Sequence, residues 1–273
     1  MSIPLAPMGP DPRLRSGGAA GVRAPRVAVG AGKGGVGTST VTALLACTAA
    51  AAGSRVLLVD LAPHFGGLAA LLDVHPGHTL ADVKAGLPTE ALAVAVTPSL
   101  SLVNAARVPE LTDTEHQLML RRLAASVGAY DLVLIDAGAS AASLRSAVRF
   151  GATRALTVTT HDRISLTATY AVLKLLHEQA PELRVDVIAN RVSDTDASRL
   201  HEYLNAASVR FLARTVPFGG SIPDDPAFAR TVATLGADEA AHGSPAFQVV
   251  RTLGEQLLAD TGAPPFLRLL RQG

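Results

Sequence analysis

Short runs in which almost every position is apolar recur along the chain, separated by longer stretches with helical periodicity. The first pattern predicts strands buried on both faces, the second predicts helices with one apolar side. Their alternation predicts an α/β fold, a mostly parallel sheet with helices on both faces. Strands are expected at 26–31 (RVAVGA), 55–60 (RVLLVD), 100–105 (LSLVNA), 131–136 (DLVLID), 154–160 (RALTVTT), 183–191 (LRVDVIANR) and 211–218 (FLARTVPF). Helices are expected at 38–52, 111–127, 165–178 and 245–259. No internal repeat is visible. Residues 1–25, rich in Pro, Gly and Ala, read as a flexible leader without the charged-then-apolar order of a signal peptide. Residues 26–260 read as a single nucleotide-binding domain, and 261–273 as a linker with a short tail.

The chemistry concentrates where the first strand gives way to the first helix, at "GKGGVGTST" (32–40). Gly32, Gly37 and Ser39 fit the phosphate-loop spacing G-x-x-x-x-G-K-[ST], except that Thr38 stands where the lysine belongs. Glycines let backbone N–H groups turn toward a phosphate, and the helix N-terminus adds a favourable dipole. Gly32, Lys33, Gly34, Gly35, Val36, Gly37, Thr38, Ser39 and Thr40 are therefore the candidate phosphate-binding residues. The Ser39 hydroxyl is placed for Mg²⁺, and the Thr40 hydroxyl is within reach of phosphate. Two more candidates end apolar strands: Asp60 after "RVLLV" and Asp136 after "DLVLI". Carboxylates there face the crevice at the carboxyl edge of a parallel sheet, where magnesium and nucleotide bind. A helix cap explains either aspartate alone; the two together with the loop favour a metal site.

Composition narrows the field. Only Lys33, Lys84 and Lys174 are lysines, so a lysine inside the glycine loop stands out. A net charge of +1 demands neither nucleic acid nor an acidic partner. The single cysteine, Cys47, excludes an intrachain disulfide and a four-cysteine metal site, and its alanine-rich surroundings predict a small packed residue. No run reaches the roughly 18 apolar residues of a membrane span, so a cytoplasmic protein is expected. His75 and His78 lack a third ligand pattern and are expected in a solvated loop; Arg121 and Arg122 are expected on a solvated helix face.

With its early lysine, "GKGGVGTST" resembles the deviant Walker A motif of the MinD/ParA ATPases. The resemblance continues through "VLLVDLAPHFGGLAALLDV", "YDLVLIDAGAS", "LTVTTHDRISLTATYAVLKLL" and "DVIANRV", roughly residues 26 to 260. The segment "VRFLARTVPFGGSIPDDPAFART" looks most like the MinD-like flagellar regulators FlhG and FleN; the pilus-placing CpaE/TadZ proteins are similar too, also in lacking the loop lysine. The resemblance implies a P-loop NTPase fold, ATP and Mg²⁺ as cofactors, and a homodimer closed around nucleotide. It implies that Lys33 reaches the partner's phosphates, that Asn190 reads the adenine base, and that Asp136 helps hold Mg²⁺. Asp60 matches the first aspartate of the family's D-x-D, near Mg²⁺.

Two departures stand out: Thr38 for the loop lysine, and Ala62 for the second aspartate of D-x-D, which in active relatives positions the attacking water. A charge-assisted hydrogen bond is worth about 1.5–3 kcal/mol, so binding is expected to survive on backbone amides, Mg²⁺ and Lys33. Hydrolysis loses both a neutralising charge and a water-orienting group, with His64 as one candidate replacement. A nucleotide-gated switch or scaffold placing a flagellum or pole is expected, with weak or absent turnover. The alternatives are an active ATPase cycling on membrane or nucleoid, and a pilus localisation factor. In the tail, Phe266, Leu267, Leu269 and Leu270 form an apolar arc with Arg268, Arg271 and Gln272 opposite. That arc suits either an anionic membrane surface or packing on the domain.

Overall fold

The computed structural model describes residues 24–63, 67–225 and 244–260. Eight strands form one sheet: β1 (Arg26–Gly30), β2 (Val56–Asp60), β3 (Ala93–Thr97), β4 (Leu100–Asn104), β5 (Leu132–Gly138), β6 (Arg154–Thr159), β7 (Arg184–Asn190) and β8 (Phe218–Ile222). Their spatial order is β3-β4-β2-β5-β1-β6-β7-β8. Every pairing is parallel except the β3–β4 hairpin at one edge. The described helices are α1 (Thr38–Ala51), α2 (Gly67–Leu71), α3 (Leu80–Lys84), α4 (Asp113–Ser126), α5 (Ala141–Phe150), α6 (Arg163–Gln179), α7 (Asp194–Leu212) and α8 (Pro245–Asp260). The single-domain α/β architecture of a P-loop NTPase is therefore present.

Alternation within the strands builds two cores. In β1, Ala28 joins the layer under α3 to α7, while Val27 and Val29 join the layer under α1 and α8. All five residues of β2 are buried, and Val56 to Val59 feed both layers, which is why its sequence reads as an apolar run until it closes in Asp60. Helix starts follow local capping chemistry. Thr112 accepts from Glu115 N–H while the Glu115 carboxylate accepts from Thr112 N–H, and this reciprocal cap opens α4.

The central strands lie where the apolar runs place them, and the edges differ. β3 had no expected counterpart: its burial is mixed, and it is held by antiparallel pairing with β4. The expected strand 211–218 is corrected. Residues 211–212 end α7, Ala213 takes φ 54 to stop the helix, and the strand begins at Phe218. Helix α7 buries Ala197, Leu200, Leu204 and Ser208 at helical spacing, a stripe too small to announce itself. Cys47 is partly buried in α1, with its thiol pushed up to about 11 by burial, as expected of a packed residue. Residues 1–23 of the leader, the tail and His64 lie outside the described residues, while Ala24, at the leader's end, is buried in the core.

Candidate functional site

Five neighbouring strands, in the order β2-β5-β1-β6-β7, bring their carboxyl ends to one edge of the sheet. There they set side by side Asp60, Asp136, the loop 31–37, the turn 160–162 and Asn190. β1 sits at the centre, with β5 on one side and β6 on the other, the position at which ligands bind in sheets of this kind.

The loop is fitted to its neighbours by its glycines. A Cβ on Gly32 would lie 2.2 Å from the Ala168 backbone, so only glycine lets the loop pass α6. Gly37 takes φ 91, and a Cβ there would lie 2.5 Å from Asn190 Nδ2. Val36 is buried and anchors the loop, whereas Gly34 and Gly35 are exposed. Thr38, the first residue of α1, is buried, with Ser39 and Thr40 half-buried beside it.

Asp60 and Asp136 are register partners on adjacent strands, and both are almost wholly buried. Asp60 Oδ1 accepts from Ala62 N–H at 2.9 Å, with the Leu68 N–H also bonded to its carboxylate, and Asp136 Oδ1 accepts from Gly138 N–H at 2.8 Å. Asp136 Oδ2 is buried with no hydrogen-bond partner. Burial, and secondarily the Asp136 charge, push Asp60 up to about 7. Burial also raises Asp136, opposed by the Ser39 hydroxyl and the Gly138 N–H. Two buried carboxylates with a bare oxygen and a serine hydroxyl nearby form a donor set of hard oxygens, which suits Mg²⁺.

The sign of these shifts gives a stability prediction. A carboxyl group raised in the folded state from 3.8 to about 7 contributes stability that is complete below about pH 4 and is lost as pH rises through 7. The full shift corresponds to on the order of 4 kcal/mol. The metal-free melting temperature is therefore expected to fall between pH 5 and pH 8, and Asp60→Asn is expected to flatten that slope and to melt above the parent at pH 8. Scanning calorimetry in chelator checks this; a parent as stable at pH 8 as at pH 5 contradicts it.

Lys33 lies across the loop from the start of α6, its Nζ 3.1 Å from Asp162 Oδ1, with both side chains 40% exposed. Asp162 caps α6 by accepting from Ser165 N–H, and it also accepts from Thr160 Oγ1 at 2.7 Å. The Thr160 hydroxyl, the Ser165 N–H and then Lys33 hold its carboxyl well below the usual carboxylate range. Asn190 donates from Nδ2 to Val36 O at 2.7 Å, while its Oδ1 is buried without a partner. An unpaired acceptor beside the loop fits an exocyclic amino group such as adenine carries.

The sequence-derived nucleotide and metal candidates thus gather at one edge: Gly32 to Thr40, Asp60, Asp136 and Asn190. Asp162 and Arg191 were not expected there. Asp162 meets Lys33 only because β6 neighbours β1; Arg191, next to Asn190, donates to Gly35 O at 2.7 Å. Among the described residues no group of three or more His, Cys, Asp or Glu is arranged for a metal. His75 and His78 are exposed in the loop before α3. No helix among them is long and apolar enough to cross a membrane.

Comparison with known proteins agrees with this geometry. Residues 27–235 match the family described as the CobQ/CobB/MinD/ParA nucleotide binding domain. The chain is 30% identical over 215 residues to the antiactivator FleN of Pseudomonas aeruginosa, covering 76% of each protein. Among solved structures it is similar to the MinC:MinD cell division protein complex of Aquifex aeolicus, at TM-score 0.70 and 26% identity over 86% of this chain and 96% of that one. It is likewise similar to the septum site-determining protein MinD complexed with Mg-ADP from Pyrococcus horikoshii, at TM-score 0.70 and 25% identity over 88% and 98%. A family match across most of the chain, on a sheet whose carboxyl edge carries the loop, both aspartates and Asn190, settles the kinship: the chain belongs to the CobQ/CobB/MinD/ParA nucleotide-binding family.

Proposed function

We propose that this protein binds ATP with Mg²⁺, closes into a homodimer around the nucleotide, and acts as a switch or scaffold in placing a flagellum or another polar structure. The observation that carries the nucleotide reading is the convergence of the glycine loop, the bare Asp136 Oδ2 and the bare Asn190 Oδ1 on one crevice. Similarity to FleN favours the flagellar assignment. In this reading the loop amides of residues 32–40 take the phosphates, Asn190 takes the base, and Ser39, Asp60 and Asp136 hold the metal directly or through water. Mg²⁺ so held neutralises phosphate charge. Ionised Asp60 and Asp136 serve this role, and metal binding opposes the burial that raises both carboxyl groups.

Lys33 has a double role. In the monomer it pairs with Asp162; in the dimer it exchanges that carboxylate for the partner's phosphate. Hydrolysis would move the γ-phosphoryl group from the ADP oxygen to a water oxygen, with a proton leaving that water. Neither Thr38 nor Ala62 supplies the charge or the carboxylate that such a step uses, so turnover is slow or absent. The retained Lys33 and carboxylate pair favour a second reading, an active ATPase cycling on a membrane or nucleoid surface. A dimer would also present two copies of segment 261–273, with Phe266, Leu267, Leu269 and Leu270, to an anionic membrane, and so gain avidity.

Deleting the gene from its host tests the placement role. Altered number or position of flagella, restored by the parent gene, is expected. Flagella unchanged in number and position would refute the flagellar assignment.

A further inference from the structure

Two consecutive residues at the end of β7 hold two consecutive carbonyls of the glycine loop. Asn190 Nδ2 donates to Val36 O and Arg191 Nη2 donates to Gly35 O, each at 2.7 Å. Neighbouring side chains of an extended strand leave on opposite faces, so they do not ordinarily reach the same loop. Arg191 reaches it because its backbone turns to φ 57, a left-handed conformation uncommon for a residue with a side chain. The detour lasts one residue: Val192 N–H is bonded to Ile222 O, alongside the last β7–β8 register pair, Asn190 with Ile222. Strained backbone of this kind persists where its surroundings enforce it, and it clusters at functional sites.

The detour bears on the direction of the loop amides. In a trans peptide the C=O and the following N–H point in opposite directions, and the chain has no cis peptide bond among the described residues. Holding Gly35 O therefore turns Val36 N–H away from Arg191, and holding Val36 O turns Gly37 N–H away from Asn190. The outer limb of the loop has little else to steady it: Cβ atoms at Gly34 and Gly35 would meet nothing within 4 Å. The guanidinium also places a permanent positive charge at the rim of a loop whose own lysine is Thr38.

We propose that Arg191 is a positioning residue of the phosphate cradle. By clamping Gly35 O it presets the Val36 N–H toward a nucleotide phosphate, and its charge stands in part for the lysine missing at position 38. This inference rests on the nucleotide reading given above and adds to it a residue and a mechanism of compensation.

Calorimetric titration of the full chain with Mg-ADP, and separately with inorganic pyrophosphate, tests it in the parent, Arg191→Ala, Arg191→Gly and Arg191→Lys. Arg191→Ala and Arg191→Gly are expected to weaken both probes about tenfold or more, the scale of one charge-assisted hydrogen bond. Glycine adopts the left-handed conformation freely, so Arg191→Gly is expected to melt no lower than the parent, which separates loss of binding from loss of fold. Arg191→Lys keeps the charge and is expected to recover part of the loss, and the gap between parent and Arg191→Ala is expected to narrow at high salt. A parent that binds Mg-ADP together with an Arg191→Gly variant that binds it within about twofold would overturn this inference alone. A parent that binds neither probe up to millimolar concentration would overturn the nucleotide reading, and this inference with it.

Discussion

Replacing Thr38 by Lys and Ala62 by Asp in the same chain is expected to raise ATP turnover by about 10²- to 10³-fold over the parent, the scale of one preorganised electrostatic contributor. Thr38 opens α1 directly after the left-handed Gly37, so a longer cationic side chain there starts from the floor of the phosphate cradle. Ala62 lies two residues beyond Asp60, its N–H bonded to Asp60 Oδ1 and its methyl group facing Gly138. A carboxylate at that point would join the edge that already carries Asp60 and Asp136. Phosphoryl transfer draws little on covalent chemistry and much on charge and orientation, and the two substitutions add a cation and a carboxylate at positions 38 and 62. They act on one transition state, so each alone is expected to recover far less than the pair. Phosphate release at saturating Mg-ATP is the measurement. A parent that already turns over at the rate of the double variant would mean that another group supplies both functions.

Lys33→Ala is expected to remove nucleotide-induced dimerisation. A closed symmetric dimer uses the lysine twice, once from each protomer. Two charge-assisted hydrogen bonds at about 1.5–3 kcal/mol each give a loss of about 3–6 kcal/mol, or roughly 10²- to 10⁴-fold in the dimer dissociation constant. The competing contact in the monomer is weak, because the Lys33–Asp162 pair is 40% exposed on both sides, and exposed pairs contribute about 0–1 kcal/mol. Asp162→Asn makes the distinction sharp. Asparagine still caps α6 as well as aspartate does, yet releases the lysine, so dimerisation is expected to strengthen slightly rather than weaken. Sedimentation velocity with Mg-ATP reads both variants. Equal dimerisation of Lys33→Ala and parent would show that the lysine does not cross the interface.

The strands that carry the site were legible because burial on both faces leaves a continuous apolar run, as in β2 and β5. Asp60 and Asp136 were legible for a related reason: each is the carboxylate at or near the end of such a run, and the carboxyl edge of a parallel sheet is where ligands sit, whereas Asn190 was marked only by the family resemblance of "DVIANRV". The edge elements were not legible. β3 depends on its hairpin partner, and β8 contains two glycines that blunt any strand pattern. Helix α7 hides behind a stripe of Ala197, Leu200, Leu204 and Ser208. Asp162 was invisible for a topological reason: nothing in its spacing says that β6 pairs with β1 and so brings it to Lys33. Arg191 was invisible for a conformational one, since extended geometry would send its side chain away from the loop.

Without its usual lysine, the loop "GKGGVGTST" is proposed still to bind nucleotide and to convert binding into dimerisation. Titrating the purified full chain with Mg-ATP by calorimetry, with molar mass followed by light scattering on the same samples, tests it most directly. Micromolar binding and a doubling of molar mass that depends on nucleotide are expected. No heat of binding up to millimolar Mg-ATP, and an unchanged mass, would contradict it and leave the loop as a turn that only joins β1 to α1.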